Sequence, residues 1–148
     1  MKALVVYATI TGNNEEVANI VVDALRRLKV DVVETEISQT DVAAFKDVDI
    51  CVVCAYTYDE GALPEEGMDF FEELQESDLK GKVFGVAGSG DVFYGDDFNK
   101  AVDEFEKAFV KSGATQGTKS IKIDLEPYEE DVENLQVFAK ELVAKAGR

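Results

Sequence analysis

Short apolar runs alternate along this chain with stretches whose apolar residues recur at helical spacing. That alternation restricts the fold more than any other feature. Strands are expected at about 2–8, 30–37, 48–55, 82–87 and 120–124, and helices at about 14–28, 66–76, 97–112 and 128–146, with a short helix or turn over 38–47. Leu4-Val5-Val6-Tyr7, Ile50 through Ala55, and Val83 through Ala87 are apolar throughout, as strands covered on both faces are. Residues 30–37 alternate with charge, which places that strand near a sheet edge. The helices carry apolar stripes: Val17, Ile20, Val21, Ala24, Leu25 and Leu28 in the first, then Met68, Phe71 and Leu74, then Phe98, Ala101, Val102, Phe105 and Phe109. The last stripe is Val132, Leu135, Phe138, Ala139, Leu142 and Val143. Strand–helix alternation demands an α/β fold with a parallel, doubly wound sheet and helices on both faces. Such sheets bind ligands beyond the carboxyl ends of their strands, where the winding reverses. Three loops stand there, 9–15, 56–64 and 88–95, after strands expected to be neighbours.

The first loop turns from strand to helix through Thr9-Ile10-Thr11-Gly12-Asn13-Asn14. A helix start offers unpaired N–H groups and the positive end of the helix dipole, both suited to an anion. No Lys or Arg lies between Lys2 and Arg26, so neutral hydroxyls and amides would have to hold it. The same residues also suit an ordinary capped turn. The other two loops bring Tyr56, Tyr58, Phe93 and Tyr94, either as walls for a flat ring or as a cover over the core.

Composition narrows the function. The 148 residues suit one domain spanning 1–148, and 46% hydrophobic content supplies a core. Lys and Arg number 15 against 31 Asp and Glu, a net charge of −16. Such a chain repels nucleic acid and anionic membranes and attracts basic protein partners. From Tyr56 to Leu79 the acids Asp59, Glu60, Glu65, Glu66, Asp69, Glu72, Glu73, Glu76 and Asp78 meet no base, and Asp91, Asp96 and Asp97 extend that rim. The first apolar run is too short for a signal peptide or a membrane span, which implies a soluble cytoplasmic protein. Without histidine, metal ligation and histidine-based acid–base catalysis lose their usual agent. Cys51 and Cys54 share a C-x-x-C spacing, yet inside an apolar strand they point to opposite faces as small hydrophobes.

Taken together, the three loops resemble those of the flavodoxins. Thr9-Ile10-Thr11-Gly12-Asn13-Asn14-Glu15 is similar to the family's T/S-x-T-G-N-T-E phosphate loop. Tyr56-Thr57-Tyr58-Asp59-Glu60-Gly61-Ala62-Leu63-Pro64 is similar to its Y-T-[WY]-G-D-G-x-L-P loop, and Gly88-Ser89-Gly90-Asp91-Val92-Phe93-Tyr94 to its G-S-G-D-x-x-Y loop. The resemblance covers the whole chain at the length of the short-chain class. It implies a five-stranded sheet of order 2-1-3-4-5 and a non-covalently bound flavin mononucleotide, FMN. It further implies a low-potential one-electron carrier, not an enzyme with a substrate of its own, working as a monomer between basic redox proteins such as flavodoxin reductases and acceptor enzymes. Thr9, Thr11, Asn13 and Asn14, with the backbone amides of residues 10–14 (Ile10 and Gly12 among them), would hold the phosphate. Tyr94 would stack on the outer flavin face and Tyr58 on the inner one, with Tyr56 and Phe93 beside them. The backbone of Ser89, Gly90 and Asp91 would meet the pyrimidine edge, and that of Thr57, Tyr58, Asp59, Glu60 and Gly61 would face flavin N5.

Two positions depart from the family pattern: Asn14 stands where threonine is usual, and Asp59 where glycine is usual. In the family the peptide at the second position turns over on reduction, which glycine tolerates better than aspartate. Other readings compete. A receiver domain of a response regulator would need an acidic pair after strand 1, where Tyr7-Ala8-Thr9 stands, and a lysine after strand 5. A nucleotide triphosphatase would need the Gly-Lys-Ser/Thr ending of its phosphate loop. A dedicated flavodoxin-like activator of ribonucleotide reductase is the nearest rival, and the acidic second loop favours the general carrier.

Overall fold

The computed structural model describes residues 1–8, 13–56, 65–90, 100–124 and 127–147. Among them are the strands β1 (Lys2–Tyr7), β2 (Asp31–Glu36), β3 (Ile50–Tyr56), β4 (Val83–Gly90), β5 (Thr115–Gln116) and β6 (Ile121–Asp124). The helices are α1 (Asn13–Arg27), α2 (Glu65–Glu76), α3 (Lys100–Lys111) and α4 (Glu129–Ala146). Over the expected short helix or turn the chain forms two 3₁₀ helices, Ile37–Gln39 and Val42–Asp47, the second opened by Asp41, whose carboxylate accepts from the Ala43 amide.

The strands pair in parallel in the order β2-β1-β3-β4-β5, and β6 also pairs with β4. The fifth sheet position is therefore filled by two short segments. Four residues, 117–120, cross an interval that β4 spans with Gly85 and Val86 alone, between the pairs Phe84–Gln116 and Ala87–Ile121. The extra residues leave the ladder as a bulged strand does.

One apolar layer lies on each sheet face. Val17, Val21 and Leu25 of α1 and Leu135, Phe138 and Leu142 of α4 cover Ala3, Val5, Val52 and Cys54. On the other face Phe45, α2 and α3 cover Leu4, Val6, Cys51, Val53, Phe84 and Val86. Successive residues of β1 and β3 thus enter opposite layers, which is why their sequences do not alternate. Phe84 stacks on Phe109 at 4.7 Å, and Phe45 meets Phe70 edge-on at 5.8 Å, in the offset and T-shaped arrangements that aromatic quadrupoles favour. At the edge, β2 buries Val32 and exposes Val33. The end of α3 needs Gly113, whose φ of +92° is costly for any residue with a Cβ.

Several expectations are corrected. Gly88, Ser89 and Gly90 belong to β4 and not to a loop, because β3 and β6 pair with all three between them. On α2 it is Phe70, with Leu74, that is buried, while Phe71 is half-buried against Phe105. Leu28 lies past the end of α1 and is exposed. Of the apolar stripes read from the sequence, the side chain of Met68 and the whole of Phe98 lie outside the described residues.

Candidate functional site

β1, β3 and β4 are adjacent, and their carboxyl ends form one edge of the sheet. Tyr7 pairs with Cys54, the Ala8 amide donates to the Cys54 carbonyl at 3.0 Å, and Tyr56 at the end of β3 stands opposite Ser89. Gly90 pairs with Asp124. The three loops singled out in the sequence therefore leave from neighbouring strands. Asn13 and Asn14 open α1, Tyr56 closes β3, and Ser89 and Gly90 close β4. Thr9, Ile10, Thr11, Gly12, Thr57, Tyr58, Asp59, Glu60, Gly61, Asp91, Phe93 and Tyr94 lie outside the described residues.

Small residues make the ground beneath this edge. Ala55, Ala87 and Ser89 are buried, and Gly88 lies so close to its neighbours that a Cβ there would stand 2.5 Å from the Ala55 carbonyl oxygen and 2.5 Å from a Val102 methyl. The sheet and α3 thus close on each other just below the ends of β3 and β4. Sequence reading placed Gly88 in a motif but not in this contact; the signal was a glycine inside an otherwise apolar run.

Near the carboxyl end of β1 the acids Glu15, Glu34 and Glu36 gather on one side of the sheet, with Arg26 acting against them at Glu34. Tyr7 pairs in register with Glu36, and Val5 with Glu34, so both acids share the α1 side of the sheet with Tyr7. With its amide nitrogen turned toward β2, Asn19 of α1 donates to both carboxylate oxygens of Glu34, at 2.6 and 2.9 Å. Burial, then the nearby Glu15, raise the Glu34 carboxyl above its usual range, against the pull of Arg26. Burial also raises the Tyr7 phenol, followed by the charges of Glu15 and Glu34, a hydrogen bond to Glu15, and Glu36. The two thiols are fully buried in opposite layers, as the strand spacing predicts. Burial pushes Cys51 up to about 12 and Cys54 higher still, which leaves neither as a reactive thiolate.

The donor set fits a phosphate. α1 follows β1 in the chain, its first-turn amides have no acceptor within the helix, and it contains no cation before Arg26 near its other end. A phosphate placed there would be held by neutral donors and the helix dipole. The doubly wound sheet, with this helix start at the point where β1 and β3 diverge, defines an α/β protein of the flavodoxin-like class.

Comparison with known proteins agrees. The family model described as Flavodoxin matches residues 5–135. The probable flavodoxin 1 of Bacillus subtilis is 36% identical over 146 residues, covering 98% of this chain and 92% of the relative. A short-chain flavodoxin associated with a non-canonical PDU bacterial microcompartment superposes with a TM-score of 0.97 at 66% identity, covering 99% of each chain. The flavodoxin of Streptococcus pneumoniae TIGR4 gives 0.95 at 50% identity, covering 98% of this chain and 99% of the other. The chain belongs to the flavodoxin family, and its function is that family's, the carriage of electrons on FMN without substrate chemistry. No helix among the described residues is long and apolar enough to cross a membrane.

Proposed function

We propose that residues 1–148 form one FMN-binding domain that passes electrons singly, at low potential, between redox enzymes. The observation that carries this reading is the convergence of the ends of β1, β3 and β4 beside the start of α1. The phosphate is assigned to Thr9, Thr11, Asn13 and Asn14 with the backbone amides of residues 10–14. The ring is assigned to the space between Tyr58 and Tyr94, flanked by Tyr56 and Phe93. Ser89, Gly90 and Asp91 take the pyrimidine edge, and the backbone of Thr57, Tyr58, Asp59, Glu60 and Gly61 faces N5. When bound, the flavin supplies the redox chemistry, and the protein supplies binding, orientation and field.

That field is negative. On α2 and just past it, Asp69, Glu72, Glu73, Glu76 and Asp78 are all exposed. Carboxylates near the flavin disfavour added negative charge, which supports a strongly reducing final step. They also favour reversible docking on basic partners through a small interface, with the carrier monomeric and cytoplasmic. The 66% identity to a microcompartment-associated flavodoxin supports redox enzymes of such compartments as partners. The test is to strip the protein, titrate it with FMN by fluorescence quenching, and follow visible absorption through stepwise reduction. Stoichiometric binding and two resolved steps are expected. A protein that stays colourless overturns the reading. Electron transfer to a basic reductase should slow as salt rises; a rate indifferent to salt refutes the docking assignment.

A further inference from the structure

The 31 acids of this chain outweigh its 15 bases, yet one flank is basic. It runs along the fifth sheet position, where β5 and β6 lie between α3 on one face and α4 on the other. Three hollows open there. One of about 490 Å³ follows α3 past Lys107, Val110 and Lys111. Two more, of about 380 and 240 Å³, lie between residues 117–121 and α4, beside Lys119, Val137 and Lys145. Among the described residues three acids line these hollows, and each is already engaged. Asp103 pairs with Lys122 at 2.8 Å, Glu106 accepts from the Ser120 hydroxyl at 2.9 Å, and Glu141 accepts from the Thr118 hydroxyl at 2.8 Å. The split strand thus draws carboxylates inward from both helices. Lys107, Lys111, Lys119 and Lys145 stay exposed, and none forms an ion pair with a described residue. Val110 and Val137, 59% and 51% exposed, add apolar surface on either side of the edge.

We propose that this flank docks an acidic segment of a partner protein, whose carboxylates meet the four lysines and whose apolar side chains rest on Val110 and Val137. Charge complementarity selects such a segment, since the acids of α2 repel it and the lysines attract it. It does not join the sheet as a further strand, because the bulge interrupts the ladder and Lys119 guards the edge. Side-chain contact is what the flank offers. Lys111 and Lys145 lie in the last turns of α3 and α4, helices that run back from the carboxyl edge of the sheet. A segment seated there holds the protein while that edge stays open. The docking is independent of the flavin assignment.

The probe is a synthetic amphipathic peptide of about 16 residues, leucines along one helical face and glutamates elsewhere. Fluorescence anisotropy with the full-length protein should give saturable binding below about 1 mM. Lys107→Glu with Lys119→Glu should weaken it about tenfold at low salt. Lys2→Glu with Lys46→Glu, the same change in net charge near the starts of β1 and β3, should weaken it by less than about twofold. Val110→Ser with Val137→Ser should weaken it roughly fivefold, at low and high salt alike. No saturable binding, equal losses from the two lysine pairs, or no loss from the valine pair overturns the proposal. A second copy of the chain as the occupant would show as self-association in sedimentation, abolished by Lys107→Glu with Lys119→Glu, and that result also overturns it.

Discussion

Gly88→Ala should harm both stability and FMN binding, whereas Gly85→Ala, three residues earlier on the opposite face of β4, should harm stability alone and less. The new Cβ at position 88 would lie 2.5 Å from the Ala55 carbonyl oxygen and 2.5 Å from Val102 Cγ2. Both contacts must open by about 1 Å to reach ordinary separation. Neither neighbour gives easily. Ala55 is backbone in a central strand, and Val102 is a fully buried β-branched residue on a helix, with one strongly preferred rotamer. Overpacking of this kind costs about 1–3 kcal/mol, and the stiffer unfolded chain offsets about 0.4–1 kcal/mol, for a net loss of about 1–2 kcal/mol. Relief comes by parting β4 from β3 next to the Tyr56–Ser89 pair, where both strands deliver their loops. At position 85 the clash is with side-chain tips, Phe138 Cζ at 2.7 Å and Leu142 Cδ2 at 3.0 Å, and a ring can tilt. Urea unfolding of the stripped proteins measures the stability change as a shift in midpoint at constant slope. FMN titration measures the second effect. Gly88→Ala with unchanged midpoint and unchanged affinity, or Gly85→Ala as the costlier of the two, would refute the reasoning.

The remaining predictions concern charge and redox chemistry. Glu34 has a folded-state pKa raised above its ordinary 4.5, so its ionisation costs the folded protein stability, a cost absent in stronger acid and acquired as pH rises through the window above 4.5. Glu34→Gln should therefore stabilise at pH 7 by less than about 1 kcal/mol, since the site is partly solvent-screened, with the gain vanishing in acid; paired urea curves at pH 7 and pH 4 check both halves. Cys51 and Cys54 should resist alkylation in the native protein and react at once in denaturant, and mass spectrometry after a timed iodoacetamide pulse reads the difference. Asp59→Gly should make the first reduction step easier by about 40 mV, the equivalent of about one hydrogen bond of roughly 1 kcal/mol regained at flavin N5. Spectroelectrochemical titration that finds identical potentials would remove that role from Asp59.

The sequence revealed the architecture most clearly where burial is symmetrical. β1 and β3 are apolar on both faces because helices cover both, and no loop composition imitates that pattern. Gly88, Ser89 and Gly90 misled for a converse reason. Glycine and serine are turn formers in isolation, but here paired strands on both sides override that preference. Phe70 and Phe71 are adjacent and equally apolar, and only the direction from which Phe45 and Phe105 approach decides which is buried more deeply. β5 has two residues and no hydrophobic pattern; its position is set by the Thr115 amide donating to Lys82 and the Gly117 amide to Phe84. The loops of the site were legible as chemistry, through hydroxyls, amides and tyrosines at strand ends.

The divided outer strand has a practical consequence. Between Gln116 and Ile121 the backbone already departs from its neighbour, so added chain there breaks no ladder that is not already broken. Gly117 is hemmed in by Val83 and Leu142, but Lys119 is exposed. A tag or reporter domain spliced after Lys119 would hang from the flank of the molecule, leaving the flavin mouth and its acidic approach clear. That makes the seam a natural handle for tethering this carrier to a surface, or to a chosen enzyme.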